Sequence, residues 1–95
     1  MYFVKVSYIR PIEQVEEHLE AHRRFLDKQY EKGIFLASGA RIPRTGGAFL
    51  VRGLVSRTEL DSLMKEDPFH QHQVASYEIT EFTPSKYDAG LKDLL

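Results

Sequence analysis

Ninety-five residues, 42% hydrophobic and 28% charged, make one small domain, with a core that buries only about 60–65% of the unfolded chain's surface. A net charge of −1 argues against nucleic acid or an anionic membrane as a partner. With no cysteine there is no disulfide framework, no thiolate nucleophile and no cysteine-based zinc site, which fits a reducing compartment.

Tyr2 to Ile9 is rich in aromatic and β-branched residues and predicts a strand. The start of the chain is not a basic segment followed by a longer apolar one, and no run of about 20 apolar residues follows anywhere, so a cytoplasmic location is expected. Pro11 suits a helix start, and Glu13, Glu16 and Glu17 complement the positive end of the helix dipole. That helix should end near Gly33, with Lys28 and Lys32 in its last turns. Ile34–Ser38 and Ala48–Arg52 predict two short strands around a glycine- and proline-containing loop, residues 39–47. Ser56-Arg57-Thr58-Glu59 is a capping box that opens a second helix with Leu60, Leu63 and Met64 on its apolar face. Asp67-Pro68 should end it, because proline pushes the residue before it out of the helical region. Val74–Phe82 predicts the last strand, and residues 1–87 make the domain. The tail, 88–95, carries Leu91, Leu94 and Leu95 and suits a short docked helix or a partner contact.

The order β-α-β-β-α-β predicts an α+β, ferredoxin-like fold: a four-stranded antiparallel sheet with two helices on one face. The first strand has Tyr2, Val4, Val6 and Tyr8 on one side but Phe3 and Ile9 on the other. Apolar groups on an uncovered sheet face are an association liability, so a homodimer joined sheet to sheet is expected.

His22 is the informative residue of the first helix. At about 100° per residue, Val15, Leu19, His22, Leu26 and Tyr30 share a sector roughly 80° wide, opposite Glu16, Glu17, Glu20, Arg23, Arg24, Asp27 and Lys28. The imidazole is thus aimed inward. There it needs a hydrogen-bond partner or loses about 1–3 kcal/mol, and it is the side chain best suited to moving a proton near neutral pH. Asp67 is the second anomaly, an acid beside Glu66 at a helix carboxyl end, where the dipole disfavours negative charge. Two readings stay open for it, an ordinary turn former before proline or an acceptor placed for His22. A His–Asp pair fixes the ring's tautomer and stabilises its protonated form.

Glu20-Ala21-His22-Arg23-Arg24-Phe25-Leu26, then Gly33 with Leu36-Ala37-Ser38-Gly39, then Glu66-Asp67-Pro68-Phe69 resemble the YCII-related (YciI-like) family over roughly Tyr2 to Tyr87. The resemblance implies a dimeric α+β barrel, related in fold to muconolactone isomerases. It also implies a pocket with a paired histidine and aspartate, carried over to His22 and Asp67. A characterised relative is a dehydrochlorinase of a chlorinated hydroxyhydroquinone, which implies proton-transfer elimination with no cofactor and no metal. The chain departs from the family pattern at Ala40, where a proline is common, and at His70-Gln71-His72-Gln73, where a glycine is common.

Ser38 and Phe69 are the candidates for substrate binding, the first for an oxygen and the second for a planar ring. A local turn hydrogen bond and plain core packing are their alternatives. Arg41 and Arg44 flank a loop where they can attract a carboxylate or simply be solvated. His18 and His22 are four apart, with His70 and His72 further on, but Leu-Glu-Ala between the first two is not the zinc-protease order, and no metal is expected. The functional expectation is a small cofactor-independent lyase- or isomerase-like enzyme acting on a small cyclic or aromatic metabolite. The alternatives are a non-catalytic small-molecule-binding dimer and a purely structural His–Asp pair.

Overall fold

The computed structural model describes all residues from Met1 to Leu95. β1 (Tyr2–Tyr8) is followed by α1 (Ile12–Glu16) and α2 (Leu19–Glu31), then β2 (Phe35–Ala40) and β3 (Gly46–Val51). α3 (Arg57–Met64) and α4 (Pro68–Gln71) lead to β4 (Ala75–Glu81), and Ala89–Leu94 forms a 3-10 helix. The strands form one antiparallel sheet in the order β2-β3-β1-β4, the ferredoxin-like arrangement.

Alternation along β1 sends Tyr2, Val4 and Val6 under the helices, where they are buried with Phe49, Val51, Phe25, Leu60 and Met64. Phe3, at 41% exposure, lies on the opposite face, in register with Leu50 and Thr80.

The helices differ from the expected pair in one consequential way. The first is interrupted at Glu17 and His18, and His18 has φ −110° and ψ 5°. The interruption resets the phase, so α2 buries His22, Phe25 and Gln29. Leu19 and Leu26 are only half-buried, and Tyr30 is 39% exposed. The stripe of Val15, Leu19, His22, Leu26 and Tyr30 is therefore corrected: it assumed one unbroken helix, and only Val15 and His22 from it enter the core. The expected end of α2 is observed, with Gly33 at φ +72°, a left-handed conformation that glycine adopts without strain.

The second helix ends three residues earlier than Asp67, at Met64. Ser56 accepts from the Glu59 backbone N–H at 3.1 Å, which is the forward half of the capping box. Pro68 then opens α4 from its first position, where its missing N–H costs nothing.

β2 carries a bulge between Phe35 and Ala37. Phe35 pairs with Val51 on the helix side, Ala37 with Leu50 on the outer side, and Ser38 with Phe49 on the helix side again. The extra residue, Leu36, inverts the alternation and turns Ser38 inward. Both hairpin strands are longer than expected, which shortens the loop to residues 41–45.

Gly46 lies where any side chain would collide with the backbone, since an added Cβ would stand 1.8 Å from the Val6 oxygen. Gly46→Ala should cost about 1–3 kcal/mol in urea unfolding. Gly39→Ala, with open space at its Cβ, should stay within about 0.5 kcal/mol of the wild type.

Candidate functional site

The site begins at the turn between α3 and α4. Asp67 is fully buried and caps α4, accepting from the Phe69 backbone N–H at 3.0 Å through Oδ1. The sequence placed this carboxylate at the unfavourable end of a helix. Instead it sits at the favourable start of the next one, because the α3 helix stops at Met64.

His22 reaches the same carboxylate from α2. Its Nδ1 lies 2.7 Å from Asp67 Oδ1, with the side chain 9% exposed. From β4, the Tyr77 hydroxyl donates to Oδ2 at 2.7 Å. With an N–H on one oxygen and an O–H on the other, Asp67 serves as an acceptor, and the ring completes the set by donating from Nδ1. Burial, then the charge of Asp67 and the hydrogen bond to it, raise the Tyr77 phenol well above its ordinary value, so it remains a donor throughout the working range of pH.

Phe69 stacks on the imidazole with ring centroids 3.8 Å apart and planes 3° from parallel, and Phe49 lies 6.1 Å away. The ring of His22 is thus held by a carboxylate at one nitrogen and by an aromatic face. No protein group hydrogen-bonds to its Nε2.

His22 lines a cavity of about 370 Å³. Val6, Leu19, Leu26, Phe49 and Phe69 supply its apolar wall, and Tyr8, Arg23, Ser38 and Arg44 its polar groups. All four sequence candidates therefore converge: His22, Ser38 and Phe69 line the cavity, and Asp67 stands behind the imidazole. Ser38 makes no turn bond; it shares a 2.7 Å hydrogen bond with the Tyr30 hydroxyl. If Tyr30 donates, the Ser38 proton is free for a ligand oxygen.

The remaining histidines part company. His18 stacks on His72 with centroids 3.8 Å apart, while His70 packs against Tyr77 at 5.8 Å. No three His, Asp or Glu side chains are grouped so that they can hold a metal ion. Tyr77 was missed by sequence reasoning, because a tyrosine in an alternating strand reads as an ordinary β residue.

The sequence matches the YCII-related domain over residues 1–83. The chain belongs to the YCII-related family. Among solved structures it is similar to 5-chloro-2-hydroxyhydroquinone dehydrochlorinase (TftG) from Burkholderia phenoliruptrix AC1100, in complex with 2,5-dihydroxybenzoquinone. The TM-score is 0.67 at 19% identity, over 87% of this chain and 94% of that one. At that identity the likeness shows a shared fold. No curated protein matches the sequence.

Two predictions follow from the triple coordination of Asp67. Asp67→Ala strands a buried imidazole and a phenol and should lower unfolding free energy by about 3–5 kcal/mol; the near-isosteric Asp67→Asn should lose clearly less. For Tyr77, the fold favours the neutral phenol. Its contribution to stability is whole below the unfolded value of about pH 10 and is lost as pH rises through the higher native value. Tyr77→Phe should accordingly show a shallower alkaline fall in melting temperature, and its ultraviolet titration should match the wild type's to about pH 11.

Proposed function

We propose that this protein is a small cofactor-independent enzyme that transfers a proton on a small cyclic or aromatic metabolite, in the manner of a lyase or isomerase. The observation that carries this reading is a buried aspartate at Nδ1 of an imidazole that borders a cavity, with no protein partner at Nε2. His22 is the acid–base group. Asp67 selects the tautomer with the proton on Nδ1, leaving the Nε2 lone pair to accept a proton from substrate, and then stabilises the imidazolium that forms. Tyr77 keeps the carboxylate in place.

The cavity volume lies within the range of small-molecule sites. Its apolar wall suits a flat ring, and Ser38 can meet a ring oxygen. Phe69 forms part of that wall, but its stacked face is turned to His22; its first role is to set the plane of the imidazole. The dehydrochlorinase that shares the fold acts on a hydroquinone, which makes hydroxylated rings the first compounds to try.

The working unit of this reading is a homodimer. Phe3 and Phe82, each 41% exposed, and Leu50 lie on the strands' uncovered side or at its edge, where a second sheet can cover them. Sedimentation should give twice the 11.0 kDa chain mass.

A panel of small phenols, hydroxyquinones and lactones, screened for binding and then for turnover, tests the catalytic reading. Turnover of a bound compound should fall by about 10²–10⁴ in His22→Ala with affinity largely kept. Binding without conversion of any compound would leave a ligand-binding protein in place of an enzyme.

A further inference from the structure

Of the side chains that line the cavity, two are guanidinium-bearing, Arg23 and Arg44, and none is a carboxylate. The chain as a whole has a net charge of −1. The positive charge is therefore local to this opening and is not a property of the surface. The Asp67 carboxylate is not part of the lining; it stands behind the imidazole, held by three donors.

Both cations are available. Arg24, next in sequence, is held by Glu20 at 2.9 Å, whereas Arg23 makes no ion pair. Arg44 has a single one, to Glu16 at 3.3 Å, with side chains 41% and 55% exposed. A single-contact exposed pair of this kind is among the weakest electrostatic interactions in a protein. A ligand oxyanion offering two oxygens to the guanidinium fork forms a stronger, more directional contact. Tyr8 lines the same cavity and adds a hydroxyl that can donate to a ligand oxygen.

Val6, Leu26 and Phe49, buried or half-buried, line the same cavity. The lining thus combines shielded apolar side chains with a rim of two exposed cations. We propose that the cavity selects substrates carrying an anionic oxygen, as carboxylate or phenolate, on a compact ring. Arg44 takes that oxygen after leaving Glu16, and Arg23 adds a second positive charge. This rests on the small-molecule site described above and adds the charge class of its ligand. The same rim stabilises negative charge that develops on a substrate oxygen when a proton leaves an adjacent carbon for His22.

Benzoate and benzamide form a probe pair that is nearly equal in shape and differs in charge. Their dissociation constants are to be measured by NMR shift perturbation on wild type, Arg44→Gln and Arg23→Gln. Benzoate should bind about tenfold or more tightly than benzamide, and Arg44→Gln should remove most of that ratio through benzoate alone. Arg23→Gln should remove a smaller part, and added salt should weaken benzoate selectively. Equal affinity for the two probes, no binding of either at millimolar concentration, or an unchanged ratio in Arg44→Gln overturns the inference. Failure here with His22-dependent turnover of a neutral ring would sink the charge preference and keep the acid–base reading. A benzoate preference with no turnover of any compound would do the reverse.

Discussion

A carboxylate with no exposed surface survives only where donors replace the water it has lost, and Asp67 has three: the α4 backbone, the α2 imidazole and the β4 phenol. The imidazole donor lies 45 residues from Asp67 in the chain. The group therefore ties both helical segments to one edge of the sheet. It also defines the chemistry of His22, since the same bond that satisfies the buried charge decides which ring nitrogen is left over. Stability and reactivity share a single contact.

The rest of the site is arranged around that leftover nitrogen. Phe69 presses on one face of the imidazole, and its position follows from α4 starting at the residue after Asp67. The β2 bulge turns Ser38 to the same side as Phe49. The break between α1 and α2 leaves Leu19 and Leu26 at the cavity instead of in the core. Each irregularity moves a side chain from where regular periodicity would put it to where the cavity needs it.

Those irregularities mark the limit of what the sequence could reveal. The element order, the strand-rich termini and the Ser56 cap are local patterns, and they led to the right sheet with helices on one face. The His22–Asp67 pairing was legible from an out-of-place histidine and an out-of-place acid, although the physical reason given for Asp67 had the wrong sign: it starts a helix. The phase of α2 was not legible, because neither glycine nor proline marks the interruption at Glu17 and His18. Nor was the bulge, which depends on pairing with β3. Tyr77 and Gln29 were invisible for a related reason. Their burial is set by tertiary packing, and nothing in a local window separates them from solvated neighbours.

The central claim is that Asp67 holds the His22 ring with its proton on Nδ1 and its Nε2 lone pair open to the cavity. Long-range 1H–15N correlation of the ring nitrogens reads this directly. Once the ring is neutral, the spectrum should show a single Nδ1–H tautomer for His22, and Asp67→Ala should release it to a mixture of both tautomers. A wild-type spectrum with the proton on Nε2, or with both forms already in exchange, would contradict the account.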